Sequence, residues 1–272
     1  MAVGAYRVAV SDEQSTPAAV DYEPISAEGS TVVVVGGTSG IGRAISLAFA
    51  TEGANVVPTS RSEERVDETA EAVRERGGEA LAVTCDVTDR ESLDALADAA
   101  VERFGTVDTL VNSPGAIARA AVSDVTDDEW DRVLDVQLTG VHRTVQTFVT
   151  RTDVESVVNI ASLSALLGIE NLAAYSAAKG GIDGYTHAAA KDLGPDVRVN
   201  AVRPGFVSTP QTADAYAEGS HRYERILDRA SIGRIGRPED IAGAVVYLSS
   251  PAASYVTGET ITVDGGFTPS AF

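Results

Sequence analysis

Residues 31–45, TVVVVGGTSGIGRAI, join a β-branched run to a glycine-rich turn and to the start of a helix-like pattern. The run at 31–35 is typical of a strand that is buried on both faces of a parallel sheet. Gly36, Gly40 and Gly42 follow it with the spacing G-x-x-x-G-x-G. Glycines let the backbone turn tightly and approach a diphosphate, which then lies on the free N–H groups of the helix N-terminus. The stretch therefore predicts a strand, a phosphate-binding turn and a helix.

Strand-like and helix-like segments alternate along the rest of the chain. Such alternation predicts an α/β fold with a parallel sheet and helices on both faces, and right-handed crossovers make the sheet doubly wound. We expect a single domain over 30–272, preceded by a polar extension over 1–29 that is poorly ordered or lies on a neighbouring surface. About seven strands are predicted, at 31–35, 55–60, 80–87, 108–113, 156–162, 197–205 and 260–266.

The charge balance argues against one class of partner. The 272 residues include 21 Lys+Arg and 40 Asp+Glu, which gives a formal net charge of −19. Such a surface repels phosphate backbones, so we expect no nucleic-acid binding. Only Lys179 and Lys191 are lysines, and an acidic, lysine-poor composition resembles that of proteins from salt-loving archaea. A GC-rich genome is the alternative explanation.

Cysteine and histidine are sparse. The single Cys85 allows no internal disulfide, and three widely separated histidines indicate neither a metal cluster nor a Ser-His-Asp triad. No apolar run is long enough to span a membrane, and the first residues lack a basic start followed by an apolar stretch. We therefore expect a cytoplasmic protein with no metal site and no membrane association.

A tyrosine and a lysine stand out in AAYSAAKGGI, residues 173–182. Tyr175 and Lys179 are four positions apart, so they share one face of the predicted helix. A free phenol is a poor base at neutral pH, because its pKa is about 10. A nearby ammonium group is expected to lower that pKa, which would make Tyr175 a usable acid or base.

Several motifs, in order, resemble the short-chain dehydrogenase/reductase family over about 31–267. The segment from Val35-Gly36 to Ile41-Gly42 matches T-G-x-x-x-G-I-G, with valine in place of the leading threonine. Tyr175 and Lys179 match Y-x-x-x-K, and Ser162 lies thirteen residues before the tyrosine, where the family has a serine. The later segments GRPEDIAGAVVYLSS and YVTGETITVDGG are similar to the family's C-terminal part. The resemblance implies a Rossmann-type fold and a nicotinamide cofactor.

The resemblance also implies roles for individual residues. Tyr175 would exchange a proton with the oxygen of a ketone or secondary alcohol, Ser162 would hydrogen-bond that oxygen, and Lys179 would hold the nicotinamide ribose. Asn112 would lie near the adenosine ribose. The cofactor-binding residues implied in this way are Gly36, Thr38, Ser39, Gly40, Ile41, Gly42, Ser60, Arg61, Asp86, Val87, Asn112, Gly115, Tyr175, Lys179, Pro204, Gly205, Val207 and Thr209.

Two positions depart from the family pattern. Gln137 stands where the family has an asparagine that holds a water linking the lysine to a proton relay. It lies in a helix predicted over 127–149 and falls on that helix's apolar stripe, so we expect it to point inward and to keep this role as a fourth catalytic residue. Pro114, in NSPG at 112–115, replaces a small residue of N-N-A-G and is expected to stiffen the turn.

The end of the second predicted strand favours NADP(H) over NAD(H). Family members that prefer NAD usually have an acidic residue there, which accepts from the adenosine 2′-hydroxyl group. This chain has Ser60-Arg61 instead. A guanidinium group can bind a 2′-phosphate, and no carboxylate at this position repels it.

The substrate remains open at the level of sequence. Residues 206–233 occupy the position of the family's substrate lid and include Tyr216, His221, Arg222 and Arg225. The resemblance is broadest to 3-oxoacyl-thioester reductases acting on acyl-carrier-protein or CoA thioesters, with sugar and sugar-acid dehydrogenases as the alternative. A catalytically weak, NADPH-binding regulatory protein and a structural protein are further alternatives. By resemblance alone, we expect a homotetramer.

Overall fold

The structure of the protein, a computed structural model, describes residues 23–268. Most of the extension predicted over 1–29 therefore lies outside the described residues. Its last residues already contact the domain, since Ala27 is buried and the Gly29 amide donates to the Gly53 carbonyl oxygen over 3.1 Å.

One parallel sheet forms the centre of the fold. Its strands are β1 (Thr31–Val35), β2 (Asn55–Thr59), β3 (Thr109–Asn112), β4 (Ser156–Ile160), β5 (Arg198–Pro204) and β6 (Thr260–Val263). They lie in the order β2-β1-β3-β4-β5-β6. The chain builds outward from β1 in one direction and then returns to build in the other, so the switch point lies between β1 and β3.

Helices cover both faces of the sheet, which confirms the predicted doubly wound α/β fold. They are α1 (Gly40–Thr51), α2 (Glu63–Arg74), α3 (Arg90–Phe104), α4 (Asp127–Leu134), α5 (Gly140–Arg151), α6 (Ala173–Leu193), α7 (His221–Arg229) and α8 (Pro238–Ser249). Alternate residues of β1 pack into the hydrophobic core on opposite faces of the sheet. Val32 and Val34 pack with α1 and α8, whereas Val33 and Val35 pack with α3, α5 and α6.

The predicted strand over 80–87 is not part of the sheet, which has six strands rather than about seven. Val56 of β2 bridges to this segment, but the ladder does not continue. The next N–H group of β2 on that side would come from Pro58, which has none. The Thr59 hydroxyl group donates instead to the Val83 carbonyl oxygen over 2.6 Å. The segment therefore runs alongside β2 without regular pairing.

The helix predicted over 127–149 is interrupted. It starts as expected, because Thr126 and Glu129 form a capping box at the beginning of α4. Residues 135–139 then form one π-helical turn before α5 begins. A π turn bonds i to i+5 rather than i+4, and such turns are frequent at functional sites. This turn carries Gln137.

Candidate active site

A cleft of about 530 Å³ opens at the carboxyl ends of the strands, on both sides of the switch point. This is where ligands bind in open α/β sheets. The predicted site residues that line it are Gly36, Thr38, Ser39, Gly40, Ile41, Gly42, Ser60, Arg61, Asp86, Val87, Gly115, Gln137, Ser162, Tyr175, Lys179, Pro204, Gly205, Val207 and Thr209. Pro114 lines it too.

Asn112 is the predicted site residue that the cleft does not include. It lies in β3, is 1% exposed, and its Nδ2 donates to Asn159 Oδ1 over 3.0 Å. The side chain therefore ties β3 to β4 from inside the sheet instead of facing the space where an adenosine ribose was expected.

The glycine turn brings two backbone segments into close contact. Gly36 has a φ of +74°, and a Cβ atom there would lie 2.1 Å from the Ser113 carbonyl oxygen. A Cβ atom on Gly42 would lie 2.1 Å from the Gly36 carbonyl oxygen. Only glycine fits either position.

The start of α1 faces the cleft with its N–H groups available. Ser39 is the N-cap residue, but its side chain forms no capping hydrogen bond with the described residues, and the first turn holds no acidic residue. The helix end therefore keeps its partial positive charge. Together with the glycine contacts, this uncapped end fits the diphosphate of a dinucleotide.

The end of the cleft beside β2 combines hydroxyl groups with guanidinium groups. Thr38 Oγ1 donates to Ser60 Oγ over 2.8 Å, and Arg61 and Arg65 line the same end. Burial raises the pKa of Asp86, but hydrogen bonds from Thr88 and the nearby Arg61 outweigh this and hold that pKa below its ordinary value. Arg65 did not emerge from the sequence, although its place in the first turn of the helix that follows β2 is a signal that could have found it.

Lys179 is buried in the middle of the cleft wall. It is 3% exposed, and its Nζ donates to the Ile160 carbonyl oxygen over 2.6 Å. Burial lowers the pKa of Lys179 to about 7, although the charge of Asp183 opposes this change. The Nζ atom lies 5.7 Å from the centre of the Tyr175 ring.

The expected lowering of the Tyr175 pKa is wrong. Burial raises the pKa of this phenol above its ordinary value, while a hydrogen bond with Ser162 and the charge of Arg119 only partly oppose the rise. The desolvation of the phenolate outweighs the nearby cations. Ser162 Oγ also accepts from the Ser164 amide over 3.2 Å, which orients the serine towards the cleft wall.

Gln137 points inward, as its position in the apolar stripe predicts. It is 2% exposed, and its Nε2 donates to the Ala116 carbonyl oxygen over 2.8 Å. Its Oε1 is buried and finds no partner within residues 23–268. An unpartnered buried carbonyl oxygen is costly, so this atom is a place where a bound water or ligand group would be stabilised.

The predicted lid region contributes one wall at the Tyr175 end. Phe206 packs edge-on against Tyr216, with 5.8 Å between ring centres, and Arg222 stands 5.5 Å from the Tyr216 ring centre. Arg119 lines the same cleft from the loop after β3. The sequence did not single out Arg119, because that loop has no periodic pattern to distinguish one exposed arginine from another.

Within residues 23–268, no group of three or more His, Cys, Asp or Glu side chains is arranged to hold a metal ion. The helices of the same region are all too short or too polar to cross a membrane.

Comparison with known proteins matches most of the described fold. A family model described as enoyl-(acyl carrier protein) reductase matches residues 35–268. The chain is 40% identical over 249 residues to 3beta-hydroxysteroid dehydrogenase 1 of Eggerthella lenta, covering 89% of this chain and 94% of that one. It is 35% identical over 243 residues to a 3-oxoacyl-(acyl-carrier-protein) reductase of Thermotoga maritima, covering 88% and 98%.

A solved structure agrees with these relatives. A Beutenbergia cavernae protein, described provisionally as an NAD(P)-dependent gluconate 5-dehydrogenase and containing bound NADP at low occupancy, has a TM-score of 0.85 and 39% identity. The match covers 91% of this chain and 100% of that one. All these matches include both the glycine turn and the segment from Ser162 to Lys179.

Proposed function

Because the chain belongs to the short-chain dehydrogenase/reductase family of oxidoreductases, which act on alcohol and ketone groups, we propose that Ser162, Tyr175 and Lys179 carry out this reaction with NADP(H). The observation that supports the proposal most strongly is that the three side chains line one cleft with the uncapped end of α1. The predicted cofactor-binding residues other than Asn112 are proposed to bind the cofactor, and 206–233 to form a lid.

The chain's own residues account for binding and proton transfer. A bound nicotinamide supplies the hydride chemistry. The glycine turn and the N–H groups of α1 would hold the diphosphate, and Lys179 would hold ribose hydroxyl groups. An ordinary phenol already keeps its proton at neutral pH, and burial raises the pKa of Tyr175 further, so this residue holds a proton for the carbonyl oxygen of a substrate that is being reduced. The resulting phenolate would favour the charged form of Lys179.

Ser162 and Gln137 would support that proton transfer. The Ser162 hydroxyl group lines the same cleft as Tyr175, so it can hydrogen-bond the same substrate oxygen. The buried Oε1 of Gln137 would hold a water that returns a proton to the site.

Three cationic or hydroxyl side chains support NADP(H) as the preferred cofactor. Ser60, Arg61 and Arg65 surround the β2 end of the cleft, where a 2′-phosphate would lie. Among the described residues that line the cleft, Asp86 is the only carboxylate, and its Oδ1 accepts two hydrogen bonds from Thr88. The bound NADP of the Beutenbergia cavernae protein agrees with this preference.

For the substrate, we propose 3-oxoacyl thioesters first, as acted on by the Thermotoga maritima reductase according to its name. A sugar acid is the second candidate, favoured by the 39% identity to the protein described as a gluconate 5-dehydrogenase.

The test is NADPH consumption with acetoacetyl-CoA and with keto-sugar acids, each compared with Tyr175→Phe. We expect turnover by the wild type, loss of turnover in the variant and retained NADPH binding in both. NADPH binding without turnover of any substrate would instead support a regulatory protein.

The oligomeric state, the cellular location and the salt adaptation of the enzyme are also proposals. We propose a homotetramer in the cytoplasm of a salt-loving organism, on the strength of the family resemblance and of the net charge of −19. Light scattering coupled to size exclusion tests the tetramer. An unfolding midpoint that rises steadily with KCl tests the salt adaptation, because screening relieves the repulsion between surface carboxylates.

A further inference from the structure

The side chains that line the cleft carry the opposite charge to the chain as a whole. The formal net charge is −19, yet five cationic side chains and a single carboxylate line the cleft. The cations are Arg61, Arg65, Arg119, Lys179 and Arg222, and the carboxylate is Asp86. A cleft of one sign of charge concentrates ligands of the other sign.

Four of these cations form two pairs at opposite ends of the cleft, and Lys179 lies between the pairs. Arg61 and Arg65 follow β2, whereas Tyr175 lies in α6 one turn before Lys179, whose Nζ donates to the carbonyl oxygen at the end of β4. Between β2 and β4 lie β1 and β3, so three strand spacings, roughly 14 Å, separate the two ends. The arginines beside β2 therefore cannot serve a group that lies next to Tyr175.

Arg119 and Arg222 belong to the Tyr175 end. The Arg222 guanidinium stands 5.5 Å from the centre of the Tyr216 ring, which lines the same part of the cleft. Burial raises the pKa of Tyr216, and the charges of Arg222 and Arg119 both oppose that rise. The charge of Arg119 acts on Tyr175 in the same direction. Both guanidinium groups are therefore close enough to influence the phenols around the reacting position.

Neither of these two guanidinium groups has a partner within residues 23–268. Other arginines of the chain pair closely with carboxylates: Arg203 lies 2.6 Å from Asp183, and Arg234 lies 2.6 Å from Asp240. No ion pair or side-chain hydrogen bond of the described region includes Arg119 or Arg222. Because the two guanidinium groups line the cleft and no carboxylate of the described region pairs with them, both are free to bind an anion of a ligand.

We propose that Arg119 and Arg222 recognise an anionic group of the substrate, a carboxylate or a phosphate, that binds at the Tyr175 end of the cleft. The inference rests on the proposed function, since it concerns the same cleft. A guanidinium group can bind either anion through two parallel hydrogen bonds. Arg119 comes from the loop after β3 and Arg222 from α7, so the two can approach one anion from different segments.

The test compares substrates that share a ketone and differ in charge. Acetoacetyl-CoA is paired with the acetoacetyl thioester of N-acetylcysteamine, which lacks the phosphates. A keto-sugar acid is paired with its methyl ester. The enzyme variants are Arg119→Gln, Arg222→Gln and the double variant. Arg225→Gln is the matched control, because Arg225 is exposed on the same helix as Arg222 and does not line the cleft.

We expect kcat/KM for the charged substrate to fall about tenfold or more with each substitution, the scale of a lost charge-assisted hydrogen bond. The neutral mate and the Arg225→Gln control should change little, and NADPH affinity should stay constant. Sensitivity confined to the keto-sugar acid pair identifies a carboxylate, and sensitivity confined to the thioester pair identifies a phosphate. The proposal would be overturned if kcat/KM were equal for the charged and the neutral substrate of each pair. It would also be overturned if neither substitution changed kcat/KM for the charged substrates.

Binding measured without turnover separates this proposal from the proposed reaction. A ketone and NADP⁺ cannot react with each other, so calorimetry on NADP⁺-saturated protein gives the affinity of each mate directly. Suppose that the protein reduces no ketone but binds charged substrates better than neutral ones, and that the two substitutions abolish this difference. That result would refute the proposed reaction and support anion recognition by Arg119 and Arg222. Equal affinity for the charged and the neutral substrate, together with normal turnover, would support the reaction and refute anion recognition by the two arginines.

Discussion

The buried ammonium group of Lys179 should reduce the stability of the fold, and the size of the effect follows from its pKa. Burial lowers this pKa from 10.5 to about 7. One pKa unit corresponds to about 1.4 kcal/mol, so burying the charged form costs about 5 kcal/mol relative to an unperturbed lysine. The side chain is 3% exposed, so little of this cost is relieved by solvent.

The sign of the pH dependence follows from the same two values. The unfolded chain keeps the proton up to pH 10.5, whereas the folded chain releases it above about pH 7. Between these values the unfolded state binds more protons, so stability rises with pH by about 1.4 kcal/mol per unit. Below about pH 7 both states are protonated, and the full cost is present.

Lys179→Met removes this dependence. In urea unfolding, the free energy of unfolding of the variant minus that of the wild type should be largest near pH 6. This difference should decrease by about 3 kcal/mol between pH 6 and pH 9, because the wild type becomes more stable. The lost hydrogen bond to the Ile160 carbonyl oxygen adds only a constant offset. Lys191→Met, at an exposed position in the last turn of α6, is the control and should give a flat difference. Parallel pH profiles for wild type and Lys179→Met would refute the reasoning.

Three further predictions concern the cleft. Tyr175→Phe should lower kcat by a factor on the order of 100 to 10,000 while the NADPH dissociation constant stays unchanged, as measured by steady-state kinetics and NADPH fluorescence; near-normal turnover would remove Tyr175 from the mechanism. Arg61→Glu should raise the KM for NADPH about tenfold or more and leave that for NADH unaffected, because it replaces a phosphate-binding group by a repelling one; an unchanged ratio of the two KM values contradicts the proposed 2′-phosphate site. Gly36→Ala should destabilise the fold by about 1–3 kcal/mol and abolish NADPH binding, since the new Cβ would overlap the Ser113 carbonyl oxygen. Gly77→Ala, which has a similar positive φ but open space around the new Cβ, should be milder in a thermal melt and should bind NADPH normally.

Local patterns in the sequence predict most of the fold, because those patterns also determine the structure. The β-branched run at 31–35 is buried throughout, and the glycine turn adopts the conformation that its spacing implies. The prediction of a strand at 80–87 was wrong for a reason that lies outside this segment. Its residues suit a strand, but the neighbouring strand β2 has a proline, Pro58, where pairing needs a backbone N–H group. Strand pairing depends on both partners.

The site shows the same division between local and distant causes. The four-residue spacing of Tyr175 and Lys179 fixes their shared face, whatever the rest of the fold does. The raised pKa of Tyr175 depends on desolvation by elements that are remote in sequence, so the residue spacing alone gave the wrong direction. Arg119 reaches the cleft through the path of an irregular loop, for which no periodic rule exists.

Pro58 has a consequence for how this chain avoids self-association. Runs of valine such as those in β1 and β2 favour intermolecular β-pairing whenever they are exposed during folding. β1 is sheltered between two neighbouring strands, but β2 stands next to the irregular segment at one side of the sheet. A proline in β2 cannot donate to an incoming strand, so a second chain that arrives before the 80–87 segment settles cannot build a continuous ladder there. The residue that reduces the sheet to six strands therefore also protects newly made chains from aggregating through that edge.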